Sequence, residues 1–306
     1  MTNRRSPAVA GQFYPGDRAG CHAELIEILG ESPERRHEAA ALGAAVPVGG
    51  VVPHAGWVYS GAVAGCVLRE IARGVTPDTV VIFGADHWGE ARQRAQLDPE
   101  GSWLTPLGEV AVDASFAARV LDRAAGEIEA RAESHRREHS IEVQVPLVQE
   151  LWPKARIVPI LVGPRVGAAQ VGRWVADVAG ADEAVVAIGS TDLTHYGPHY
   201  DFTPHGRGRA ALDWVKHTND AAILALATTM RADEIVAEAL RHQNACGPGA
   251  MAAAIAFAVA RGATRGRLLS YTTSHDVRPR GEPQDFVGYA GIVFDARHAR
   301  RAAPLA

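Results

Sequence analysis

Val48-Gly49-Gly50-Val51-Val52-Pro53-His54-Ala55-Gly56-Trp57-Val58-Tyr59-Ser60-Gly61 runs a short β-branched segment into a histidine set in a glycine-punctuated loop. Val48 to Val52 has the make-up of a buried strand, and the small-residue run Ala62 to Arg73 that of a helix packed beside it. Strand, loop and helix in this order form the unit of an open α/β sheet, which gathers ligands just outside the carboxyl ends of its strands. His54 stands at that place.

Working outward, Thr79 to Phe83 repeats the pattern and ends in Gly84-Ala85-Asp86-His87. Two histidines at successive strand ends meet if their strands are parallel neighbours. Converging imidazoles are metal-ligand geometry, because neutral imidazole is the commonest protein ligand for first-row metals. Taken alone, the pair also reads as two unconnected loop histidines. Ala184 to Ile188 supplies a third strand, running into Gly189-Ser190-Thr191-Asp192-Leu193-Thr194-His195-Tyr196-Gly197. Asp192 and His195 lie close enough in sequence for the carboxylate to orient the imidazole or a group beside it. Asn244-Ala245-Cys246-Gly247-Pro248-Gly249 then leads into the helical run Ala250 to Arg261. Cys246 falls at a helix N-terminus, where the dipole and free N–H groups favour a thiolate. Cys21 and Cys66 have apolar company and read as structural.

Arg5 to Pro15 has no helical period and reads as an ordered arm, followed by an amphipathic helix over Asp17 to Leu29. Glu31 to Pro47 is charged, alanine-rich and proline-broken, and is expected to be a mobile surface excursion. Glu138 to Leu147 alternates as a strand does but continues at helical spacing. Its Glu138-His139 pair either reaches the site or caps a helix, and spacing favours the cap. Ala155 to Leu161, Arg265 to Thr273 and Val287 to Phe294 read as further strands. The expected fold is a single α/β domain over residues 1–306, with a mostly parallel central sheet and helices on both faces.

With 306 residues, 47% hydrophobic and 22% charged, the chain has ample material for a core. A formal net charge of -4, with Lys and Arg scattered, argues against a nucleic-acid partner. There is no apolar run of about 18 residues and no exported leader, so no membrane span is expected and the location is expected to be cytoplasmic. Three cysteines, an odd number, do not make a disulfide framework.

Six ordered motifs resemble the Memo proteins, called AmmeMemoRadiSam system protein B in prokaryotes. They are Ala10-Gly11-Gln12-Phe13-Tyr14, Pro53 to Gly61, Glu138-His139-Ser140-Ile141-Glu142, Ser190 to Gly197, Asn244-Ala245-Cys246-Gly247, and Ser270-Tyr271-Thr272-Thr273-Ser274 with Val287-Gly288-Tyr289-Ala290-Gly291. The family's fold is similar to that of the class III extradiol dioxygenases, non-haem iron enzymes that cleave catechol rings. The resemblance implies metal ligation by His54, His87 and Cys246, with Asp192 and His195 lining the same pocket and His195 as acid/base. It implies Fe(II) as the metal, with copper or zinc as alternatives. Two departures stand out. Cys246 replaces the carboxylate of the dioxygenase triad, and Asp86 precedes His87, as a ligand, a neighbour of one, or a turn residue. The activity implied is that of a dioxygenase-like oxidoreductase acting on a small molecule or peptide. The alternatives are a metal- or phosphopeptide-binding scaffold, with Arg278 and Arg280 beside His275 as the anion site, and a metal-dependent hydrolase. The family name also implies an AMMECR1-like protein and a radical SAM protein as partners.

Overall fold

The computed structural model describes residues 3–30, 45–180 and 183–296. Strand β1 (Arg4–Arg5) opens the arm, and helix α1 (Arg18–Leu29) starts at the N-cap Asp17, whose carboxylate accepts the Gly20 N–H at 2.9 Å. The excursion expected before the first core strand lies outside the described residues from 31 to 44. Its end is corrected: β2 (Val46–Val52) already contains Pro47, at a point where its pairing register with the last strand shifts. Proline is tolerated there because the ladder is interrupted. Helix α2 (Trp57–Gly74) begins ahead of the small-residue run, since Trp57 is buried and Gly56 serves as the cap.

The chain continues through β3 (Thr79–Gly84), β4 (Ala95–Leu97), the hairpin β5 (Ser102–Thr105) and β6 (Gly108–Ala111), α3 (Ala114–Arg123) and β7 (Ile128–Ala130). The undecided 138–147 stretch is helical: a 3₁₀ turn at Glu142–Gln144 runs into α4 (Val145–Leu151). Then come β8 (Arg156–Leu161), α5 (Ala168–Val178), β9 (Val185–Ser190), β10 (His195–Tyr196), α6 (Arg209–Trp214), α7 (Asp220–Thr228), α8 (Ala232–His242) and α9 (Pro248–Ala260). The last elements are β11 (Ala263–Thr273), α10 (Ser274–Val277) and β12 (Phe286–Ala296).

Strands β2, β9, β3 and β8 form a parallel core in that order. The full sheet is mixed, because β12 joins antiparallel to β2, with β11 and β10 antiparallel to β12, and β4 runs antiparallel to β8. Core strands are buried on both faces, as parallel strands under two helical layers are. Val51, Val81, Phe83 and Ala187 face the layer containing α5, α8 and α9, while Val52, Ile82, Val186 and Ile188 face α1, α2 and α4. Helix α9 is buried on every side from Pro248 to Ala258, and Gly172 of α5 lets the two backbones meet: a Cβ there would lie 1.9 Å from the Ala253 carbonyl oxygen. No helix among the described residues is long and apolar enough to cross a membrane.

Candidate metal centre

The parallel core sends the carboxyl ends of β2, β3 and β9 to one edge, and the loops leaving them carry His54, His87, Asp192 and His195. His54 and His87 meet although their strands are not neighbours: β9 lies between β2 and β3 and adds its own loop. One ring nitrogen each from His54, His87 and His139 lie within 4.8 Å of one another, and ligand atoms of His54, Asp192 and Cys246 do the same. Cys246 Sγ is 3.2 Å from His54 Nε2. Cys246 precedes the start of α9 at Pro248, and the N–H it accepts is that of Asp192 at 3.3 Å. The adjoining loop thus holds the sulfur.

Hydrogen-bond arithmetic fixes the His54 tautomer. The Ser190 hydroxyl donates to the Ser140 carbonyl oxygen at 2.7 Å, and Gln144 Nε2 donates to Ser190 Oγ at 3.1 Å while also donating to the Pro53 carbonyl. The 3.2 Å contact between Ser190 Oγ and His54 Nδ1 must therefore be an N–H donated by the ring, which leaves Nε2 with a free lone pair. Burial, then the neighbouring imidazoles, holds His54 well below the usual histidine range, so the ring is neutral. His87 is held likewise: its Nδ1 lies 2.8 Å from Glu138 Oε1, and its backbone N–H meets Glu138 Oε2 at 3.0 Å. Burial opposes a charge on His87, but the Cys246 sulfur and Glu138 outweigh it and push its pKa up to about 11. Glu138, against the penalty of burial, is pulled down to about 2 by the His87 hydrogen bond. The centre attracts positive charge, and its nitrogen, sulfur and carboxylate donors suit a borderline first-row ion.

Glu138 and His139 are a correction to the cap reading. The turn carrying them folds against the ends of β3 and β9, tied by Ser140 to Ser190, so Glu138 orients a site histidine and His139 enters the donor cluster. Asp86 is a turn residue: its carboxylate accepts the N–H groups of Glu90 at 2.8 Å and Ala91 at 2.9 Å. Asp192 does not orient His195. Its carboxylate accepts the His54 backbone N–H at 2.7 Å, and burial lifts its pKa to about 7 against that bond. The Leu193 carbonyl instead faces His195 Nδ1 at 3.0 Å, fixing that nitrogen as the N–H donor. Burial lowers the His195 pKa.

Behind this loop lies a carboxylate the sequence reading missed. Asp220 is fully buried, accepts both the backbone N–H and hydroxyl of Thr194, and accepts the Tyr271 hydroxyl at 2.8 Å. It follows a π-helical turn at Val215–Asn219. Asn244 donates to the Asn219 carbonyl at 2.9 Å, which ties the Cys246 loop to the same support.

The centre opens into a cleft of about 720 Å³, walled by Phe13 from the arm, by Tyr59, Tyr200 and Tyr289, and by Arg278 and Arg280. The Arg278 guanidinium lies 5.5 Å from the Tyr59 ring centroid. The arm is fastened beside the cleft by Arg5, whose guanidinium lies 2.7 Å from the Glu142 carboxylate and 4.1 Å over the Trp103 ring. Glu142 in turn accepts the N–H groups of Ala8 and Val9 and the Tyr14 hydroxyl.

The family model of Memo-like protein matches residues 5–293. The chain belongs to the Memo family. A MEMO1 family protein of Thermococcus onnurineus is 37% identical over 308 residues, covering 95% of this chain and 99% of that one. Family relatives in Methanopyrus kandleri and Pyrococcus horikoshii are 37% and 36% identical, each covering 95% of this chain and at least 98% of theirs. Among solved structures, an uncharacterized protein of Escherichia coli K12 aligns with a TM-score of 0.44 at 10% identity, covering 74% of this chain and 90% of that one. Membership in the Memo family thus spans the core strands, the donor cluster and the cleft wall.

Proposed function

We propose that this Memo family protein is a dioxygenase-like oxidoreductase that holds Fe(II) through His54, His87 and Cys246, with His195 as acid/base. The carrying observation is the orientation of the two imidazoles. His54 gives its Nδ1 proton to Ser190 and His87 has its Nδ1 on Glu138, which leaves each Nε2 free for a metal. Two nitrogens and one sulfur suit iron, and copper or zinc as alternatives. A bound ion would supply Lewis acidity and one-electron chemistry and would displace the proton that His87 otherwise keeps. The remaining work falls to the chain. Asp192 holds the His54 backbone, Tyr59, Tyr200 and Tyr289 line the cleft beside the centre, and the Leu193 carbonyl leaves His195 Nε2 free to take a proton from a substrate.

A small-molecule or peptide substrate, a cytoplasmic location, and an AMMECR1-like protein and a radical SAM protein as partners belong to the same proposal. The free thiols of Cys21, Cys66 and Cys246 fit a reducing compartment. One observation favours a binding module instead: Arg278 and Arg280 at the cleft mouth suit an anionic group such as a phosphopeptide.

Anaerobic reconstitution with Fe(II), metal analysis and an oxygen electrode test the reading. Wild-type protein is expected to bind iron and take up oxygen with the right substrate, and His54→Ala, His87→Ala and Cys246→Ser to bind less iron. Variants that bind as much iron as wild type would sink the ligand assignment. Tight phosphopeptide binding with no oxygen uptake would favour the module.

A further inference from the structure

We propose that His139 is a metal donor, forming with His54 and His87 a three-imidazole set that shares His54 with the His54–Asp192–Cys246 set. The inference rests on the metal-binding reading above and extends it to a residue that the reading leaves out. The ring nitrogens of the three histidines are already within 4.8 Å of one another. The His139 ring is held on three sides: stacked on His87 at 4.6 Å and 18° between planes, edge-on to His54 at 5.3 Å, and tilted against Phe13 at 4.9 Å. It is therefore placed without a hydrogen bond. Its approach to a carboxylate is Nδ1 to Glu138 Oε1 at 3.6 Å, too long for a hydrogen bond, and that oxygen already serves His87 and the Ser140 N–H. Among the described residues nothing hydrogen-bonds the His139 ring, which is 21% exposed where it lines the cleft, so its nitrogens are open to an incoming ion. The ligand class is a first-row divalent ion that accepts imidazole, and the two sets let the centre keep such an ion with or without its sulfur.

Cobalt(II) is the probe, because its spectrum reports sulfur ligation with no turnover required. The full chain, stripped of metal and kept reduced, is titrated with cobalt(II). Wild type is expected to show a sulfur-to-cobalt charge-transfer band. Cys246→Ser is expected to bind cobalt without the band, through the three imidazoles. His139→Phe keeps a stacked ring but no donor, and should weaken binding by about tenfold or more, on the scale at which metal-site partners act. His139→Phe combined with Cys246→Ser should abolish binding, and free imidazole should restore affinity to His139→Ala. Circular dichroism checks that each variant folds. A His139→Phe protein matching wild type in affinity, with the band intact, overturns the inference alone. Binding without the band that His139→Phe still weakens supports the inference and sinks the sulfur assignment. A wild type that binds no cobalt overturns both.

Discussion

His195 has its Nδ1 on the Leu193 carbonyl and a ring that burial keeps neutral, so on the proposed function its removal takes away a base and not a ligand. His195→Ala should retain its iron while losing about 10² to 10⁴ in turnover, the usual weight of an acid/base group, read by metal analysis beside oxygen uptake. Iron lost from a folded variant would move His195 into the ligand set. His135 makes a pH prediction away from the centre. It is fully buried, with Nε2 3.2 Å from the Gln96 carbonyl, and burial pushes its pKa down from 6.5 to about 3. The unfolded chain takes up this proton first. The contribution to stability is therefore complete above pH 6.5 and is lost as pH falls from there toward 3, with a slope of up to about 1.4 kcal/mol per pH unit. Urea denaturation at stepped pH reads that slope, and His135→Gln should flatten it by that amount. At this scale the sequence spoke where a residue follows a strand or precedes a helix, as His54, His87, Asp192, His195 and Cys246 do. It left Glu138 and His139 between the site and a helix cap, because their turn follows no core strand, and it was silent for Asp220, whose tie to Thr194 is made only in three dimensions.

Helices α5 and α9 touch backbone to backbone at Gly172, and the atom in the way of a Cβ is a carbonyl oxygen that no rotamer change can move. Gly172→Ala should cost about 1–3 kcal/mol or more through overpacking, measured by urea denaturation. A variant as stable as wild type would show that the helices slide apart freely. The arm depends on a different contact. Arg5 and Glu142 are a buried pair with side chains 4% and 2% exposed, and Arg5→Met would leave the Glu142 carboxyl buried without its guanidinium partner. The expected loss is about 3–5 kcal/mol. Because Phe13 of that arm packs on His139, the same variant should also bind cobalt(II) more weakly. Unchanged affinity would separate the arm from the centre. The strands read from sequence were the longer ones, β2, β3, β8, β9, β11 and β12, of six to eleven residues. Strands β1, β4, β5, β6, β7 and β10 are two to four residues long, too short for a period to register.

For the molecule as a whole, apolar runs established an α/β layering but not which strand lies beside which, since pairing joins residues far apart in the chain. The order β12–β2–β9–β3–β8 places the last strand inside the sheet, against the strand that carries His54. This has a consequence for synthesis. A chain emerging from the ribosome as far as residue 262 has every donor and can pair β2, β9, β3 and β8, but the other edge of β2 is bare and the wall from Ser274 to Tyr289 does not exist. A bare edge invites pairing with other chains. A protein ending at residue 262 should therefore aggregate, as light scattering would show, whereas the full chain should not. The cleft over the donor cluster is in this sense completed post-translationally, once the carboxyl-terminal hairpin has been released and has folded back beside β2.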